Sequence, residues 1–202
     1  MKPFIIAFFL TLIFCFSNLF AQQEVKETYV DKVNDFMILY PDDWSLEQGQ
    51  EGEITLYSPF AEEINNDLNN EEELDSELEN TPILEEKIQI TPSRWDDGSL
   101  EEFVEANFFS VDWSELFSGF TIDKEGKEKI NGNEAIWFVS KYNVGETSAI
   151  SLFYFIKMFN KVISFTSFCK EEDFELDYKI KYLEIIRSTM SYLETERANK
   201  NK

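Results

Sequence analysis

Histidine is absent from this 202-residue chain, and cysteine occurs twice, as Cys15 and Cys169. Without an imidazole, neither a Ser–His nor a Cys–His pair can form, which removes the commonest ways of activating a nucleophile. Zinc sites built from histidines or several thiolates are excluded by the same composition. The seven glycines include no G-x-x-x-x-G-K phosphate loop. Ser167-Phe168-Cys169-Lys170 has the S-x-x-K spacing, but its S-D-N and K-T-G companions are missing, so the match is read as chance. Positive charge is the other scarcity, with 18 Lys and Arg against 40 Asp and Glu and a formal net charge of −22. Such a field repels phosphate backbones and anionic lipid surfaces, so nucleic acid is excluded as a general partner. No motif calls for a cofactor.

What is present begins with a leader. Lys2 precedes an almost unbroken apolar run from Phe4 to Phe16, and Leu19-Phe20-Ala21 leads into the polar Gln22-Gln23. Residues 1–21 read as a secretory signal peptide cleaved after Ala21, giving a periplasmic or secreted protein with no stable membrane insertion. The competing reading is a retained anchor. Phe4–Phe20 falls short of the roughly 20 apolar residues an anchor needs, although Leu19 is bulky for a cleavage site. Cys15 follows the bulky Phe14 inside the apolar run, which argues against lipidation. Once the leader is removed Cys169 has no intrachain partner, so the fold must be stabilised by its core. Within Phe165-Thr166-Ser167-Phe168-Cys169 the thiol reads as a buried small hydrophobe.

One segment differs in composition from the rest. Between Ala61 and Glu86 stand eleven carboxylates and no Lys or Arg. Like charges at Glu71/Asp75, Glu73/Glu77 and Asp75/Glu79 would oppose each other at i, i+4 on a helix. Residues 61–81 are therefore read as a flexible, solvated acidic insertion in a single domain spanning 22–193, with 194–202 a polar, fraying tail. As a calcium loop starting at Asp67, the insertion places Glu72 where glycine is required and Leu78 where glutamate is required. It fails as an EF-hand. Loose calcium association through Asp67, Glu71, Glu72 and Asp75 is the remaining metal reading.

The rest parses as α+β, an antiparallel β-sheet flanked by helices. Strands are predicted at 35–40, 53–58, 84–91, 126–130, 134–142, 149–159 and 162–168, joined in the second half by turns at Asn131-Gly132-Asn133, around Gly145 and at Asn160-Lys161. Ser99-Leu100-Glu101-Glu102 is a capping box opening a helix. Leu176, Ile180, Leu183, Ile186, Met190 and Leu193 predict one long helix from about Asp173 to about Leu193 packed on the sheet.

Tyr40-Pro41-Asp42-Asp43-Trp44, Leu56-Tyr57-Ser58-Pro59, the capped Ser99-Leu100-Glu101-Glu102-Phe103 helix and Ile130-Asn131-Gly132-Asn133-Glu134-Ala135 occur in an order that resembles the PsbP-like α/β superfamily, which includes DcrB-type envelope proteins. The resemblance covers roughly Tyr29 to Leu193. It implies a binding or assembly module without catalysis that contacts a protein partner. Trp95 and Trp113, beside acidic residues, are the candidate partner contacts. Trp137 reads as a core-facing sheet residue and Trp44 as the closure of one core end. A calcium-responsive acidic protein and a two-carboxylate hydrolase are the alternatives.

Overall fold

The structure, a computed structural model, describes residues 26–59 and 86–200. The leader, Cys15 and the acidic insertion lie outside the described residues. Nine strands follow in order: β1 (Lys26–Asp31), β2 (Phe36–Pro41), β3 (Ser45–Gln48), β4 (Ile54–Tyr57), β5 (Lys87–Arg94), β6 (Ser118–Ile130), β7 (Asn133–Val144), β8 (Thr147–Met158) and β9 (Lys161–Lys170). β1 and β2 form a separate hairpin, and the other seven form one antiparallel sheet in the order β3-β4-β5-β9-β8-β7-β6.

The predicted α+β class holds, and its long meander is built on alternation. On β8, Ile150, Leu152, Tyr154 and Ile156 point to one face while Phe153 and Phe155 point to the other, and all six are buried. A strand buried on both faces reads as a near-continuous apolar run, and Ala149–Ile156 does so with Ser151 as its one polar residue. The first face carries the larger core with Ile54, Leu56, Ile88, Ile90, Ile163 and Phe165. Cys169 lies in this core with no exposure, as expected of a small hydrophobe. Trp44 closes it with its ring edge on Tyr182, 6.0 Å away.

The second face is covered by α1 (Leu100–Val104), which the Ser99–Glu102 capping box opens with both reciprocal bonds made. α1 runs on as a π-helical turn, Glu105–Phe109, that drives Phe108 into the sheet. There Phe108 stacks on Phe138 at 4.7 Å and meets Phe153 edge-on at 4.9 Å. A short α2 (Trp113–Leu116) follows.

The C-terminal helix differs from the single predicted one. α3 (Glu171–Asp173) passes through a π-helical turn (Phe174–Tyr178) into α4 (Lys179–Arg187), which stops; α5 (Tyr192–Lys200) is separate. The π turn adds a residue and rotates the stripe. The buried face is Phe174, Tyr178, Tyr182, Ile185 and Ile186, while Ile180 is 64% and Leu193 47% exposed. Residues 188–191 leave the helix because they are tied to the hairpin. Met37 and Met190 exchange backbone hydrogen bonds of 2.9 and 3.1 Å, and the Leu39 N–H donates to Ser188 Oγ at 2.8 Å. The polar residues after Leu193 continue as helix to Lys200.

Candidate binding cleft

β6 is far longer than the strand predicted near Gly126–Ile130, and that extension shapes the site. Its pairing with β7 is interrupted between Ser118 and Thr121 and again between Ile122 and Lys124. Bulges of this kind re-aim side chains beside functional sites. Past the second bulge the register is regular, and Lys124 stands opposite Val139, Gly126 opposite Trp137 and Glu128 opposite Ala135.

Gly126 is where the cleft floor is set. A Cβ there would lie 2.5 Å from Trp137 Cζ2, so only glycine lets the indole lie flat across β6. Trp137 stacks on Tyr154 with ring centres 6.3 Å apart. Val139, Ile150 and Leu152 continue this floor along the sheet, and Phe174 and Leu183 form the opposing wall on the helix. Between wall and floor lies a cleft of about 530 Å³, within the range of ligand sites. The wall begins at the π-helical turn, a feature that recurs at functional sites.

The rim is charged, and its balance departs from that of the chain. Four cations (Lys124, Lys141, Lys179, Arg187) and four carboxylates (Asp123, Glu128, Glu171, Glu175) line the cleft, an even balance on a protein of net charge −22, while Lys127 at its edge sends its ammonium to Glu101 on the opposite face, 2.5 Å away. Lys141 pairs with Glu171 and Lys179 with Glu175, both at 2.7 Å. The Lys179 hydrogen bond holds the Glu175 carboxyl below its usual range, and the Glu171 bond holds Lys141 above its own. At the far end Tyr154 donates to Glu128 at 2.5 Å, and Arg187 stands 3.5 Å from the same carboxylate. Burial, and then Glu128, push the Tyr154 hydroxyl well above its ordinary value. Lys124 has no hydrogen bond or ion pair among the described residues. A smaller cleft of about 320 Å³ lies on the opposite sheet face between α1 and β6.

Trp95 and Trp113 sit away from the main cleft, half-buried against the second core. Trp95 donates its indole N–H to the Ser99 carbonyl at 3.1 Å, and Trp113 donates to Phe108 at 2.8 Å and stacks on Phe120. Asp67, Glu71, Glu72 and Asp75 lie outside the described residues. Ser167 of the S-x-x-K match is buried and bonded to the Leu152 backbone. Sequence reasoning placed Trp137 in the sheet without seeing the cleft beneath it. The available signal was an unexplained Gly126 inside a strand, among the lysines of an otherwise acidic chain.

This architecture is the PsbP-like α/β fold, an antiparallel sheet with helices on both faces. Among solved structures it is similar to cyanobacterial PsbP (CyanoP) from Synechocystis sp. PCC 6803, at 14% identity over 86% of this chain and 96% of that one, TM-score 0.56. LpqN of Mycobacterium tuberculosis, a protein involved in cell envelope biogenesis, is similar at 11% identity over 85% of this chain and 86% of that one, TM-score 0.52. A Bacteroides thetaiotaomicron VPI-5482 protein is similar at 11% identity over 84% of this chain but 49% of its own, TM-score 0.53. No protein-family model matches the sequence, and no curated protein does. At these identities the likeness establishes the fold.

Proposed function

We propose that this chain is a non-catalytic binding or assembly module, carried out of the cytosol by its leader, that holds a segment of a protein partner in the cleft between β6–β8 and the α3–α4 wall. The observation that carries this reading is the lining itself: an aromatic and aliphatic floor framed by four cations and four carboxylates, a balanced rim on a chain of net charge −22. Such a seat suits a segment with apolar side chains flanked by carboxylates, since buried apolar area supplies affinity and the rim supplies orientation. Three of the carboxylates around the cleft, Glu171, Glu175 and Glu128, are engaged with Lys141, Lys179, Arg187 and Tyr154. A general acid needs a carboxyl held above its usual range. Among the described residues Glu86 is raised, mainly by burial, and it faces Ser58 and Tyr178 outside the cleft. Delivery to the envelope or beyond fits the leader, and one solved protein of this fold takes part in envelope biogenesis. Among the described residues no helix is long and apolar enough to cross a membrane.

The test is site-specific photo-crosslinking in the native host. A benzophenone side chain replacing Leu183, on the cleft wall, is expected to give one discrete protein adduct. The same group replacing Ile180, on the outer face of α4, is expected to give none. No adduct at Leu183 rejects the cleft as the seat. Turnover by the purified chain in a broad hydrolase panel rejects the non-catalytic reading.

A further inference from the structure

β6 is an edge strand of the seven-stranded sheet, and among the described residues nothing pairs with its outer side. A free edge of 13 residues is long, and its unpaired N–H and C=O groups are a template for another strand. The turn after it fixes which groups those are. Asn131 and Gly132 have φ of 48° and 86°, and the two-residue loop closes on the pair Ile130–Asn133. Counting back from that hydrogen-bonded pair, Ile130, Glu128 and Gly126 turn their backbone groups toward β7. Lys129, Lys127 and Glu125 turn theirs outward.

The charges along this edge read as a mirror about Gly126: Asp123-Lys124-Glu125 before it, Lys127-Glu128-Lys129 after it. Set a second copy antiparallel, with a two-fold axis at Gly126, and Glu125 faces Lys127. Lys124 faces Glu128, and Asp123, at the bulge, meets Lys129. Each facing pair is opposite in sign, and the axis makes each pair twice. The outward backbone groups also match, since Glu125 and Lys127 face each other as a hydrogen-bonded pair. Gly126 then meets its own copy at a non-hydrogen-bonded position, where the Cα atoms come closest. Moving the axis one residue either way sets Glu125 against Glu125 or Lys127 against Lys127. The register is therefore specified by charge. Asp123, Lys124, Glu125 and Lys129 carry no hydrogen bond or ion pair among the described residues, whereas Lys127 is paired with Glu101 at 2.5 Å and Glu128 accepts from Tyr154 at 2.5 Å, so these two would share their charge with the second copy.

We propose that two copies of this chain join edge to edge through β6, antiparallel about a two-fold axis at Gly126, making one continuous sheet from two. This pairing uses the sheet edge, and its Lys124–Glu128 contacts draw on residues that also line the cleft. The test is the oligomeric state of the purified chain by sedimentation and light scattering, with circular dichroism to verify folding. The parent chain is expected to run as a dimer. Glu125→Lys, a change at a residue with no intrachain partner, places like charges at two positions and is expected to weaken the dimer at least about tenfold. Lys127→Glu should weaken it similarly. The double exchange Glu125→Lys/Lys127→Glu restores opposite pairs and should restore the dimer. A monomeric parent chain overturns the proposal, as does a dimer indifferent to Glu125→Lys, or a double exchange that stays monomeric while folded.

Discussion

Replacing Gly126 with alanine tests how the cleft floor is built, because two physical effects predict opposite signs. Glycine inside a strand is the more costly residue in backbone entropy, so propensity alone makes alanine stabilising by about 0.5–1 kcal/mol. The structure predicts otherwise. The new methyl would sit 2.5 Å from Trp137 Cζ2 and 2.7 Å from Cε2, distances that real side chains do not tolerate. The indole must lift off β6 and break its stacking on Tyr154. Overpacking of this kind costs about 1–3 kcal/mol, so the net effect is a loss of about 0–2.5 kcal/mol after the propensity gain is subtracted. For a chain of this size that is a fall in Tm of up to about 10 °C. Urea unfolding followed by circular dichroism measures the loss, and tryptophan emission should shift because the indole moves. The decisive control is a double-mutant cycle with Trp137→Phe. In the phenylalanine background the methyl meets no indole, and Gly126→Ala should become neutral or stabilising. A Gly126→Ala chain more stable than its parent refutes the reasoning, and so does a cost that is the same in both backgrounds.

Two further outcomes follow from the cores. Phe108→Ala removes the ring that joins the π-helical turn to Phe138, Phe153 and Phe155, and should cost about 3–5 kcal/mol in urea unfolding; a loss below about 1 kcal/mol would show that the second core collapses around the gap. The alkaline limb of stability should begin with the buried thiol. Burial, reinforced by Glu86 and Asp173, pushes Cys169 up to about 12 from an ordinary 9.0. A raised folded value means that the stabilisation is complete below pH 9, shrinks once the unfolded thiol ionises, and is gone by about pH 12. The tyrosines enter only above their ordinary 10.0, so Cys169→Ala should flatten the slope between pH 9 and 10, and a slope unchanged in that window would count against the assignment.

The elements that the sequence made legible are those in which local signals and tertiary contacts agree. Ser99 and Glu102 form a capping box whichever core the helix meets, and the observed bonds are those the motif implies. Asn131-Gly132 demands a tight hairpin, and alternation assigns β7, β8 and β9 their two faces. The C-terminal helix was misread because its apolar residues fit a single 3.6-residue stripe as far as Leu193. A π turn, and a backbone bridge to Met37 more than 150 residues away, are decided by contacts that no local window contains. β1 and the first half of β6 were missed for a related reason. Their residues are largely exposed, so neither carries the apolar period by which strands are recognised.

The cleft escaped the sequence because its parts are ordinary when taken singly. Trp137 reads as a sheet residue, and Lys124, Lys141 and Lys179 stand far apart in the sequence with no motif to join them. What makes a site is the register that puts Gly126 beneath Trp137 and the π turn that sets Phe174 and Glu175 as a wall facing Lys124 and Lys141. The charge balance points the same way. A chain with more than two acids for every base gains little solubility from its few lysines, and their mutual repulsion disfavours gathering them. At surface exposure each of the observed ion pairs contributes about 0–1 kcal/mol, so stability gains little from gathering four cations and four carboxylates along one apolar groove. The partner segment proposed above is what such a rim would orient.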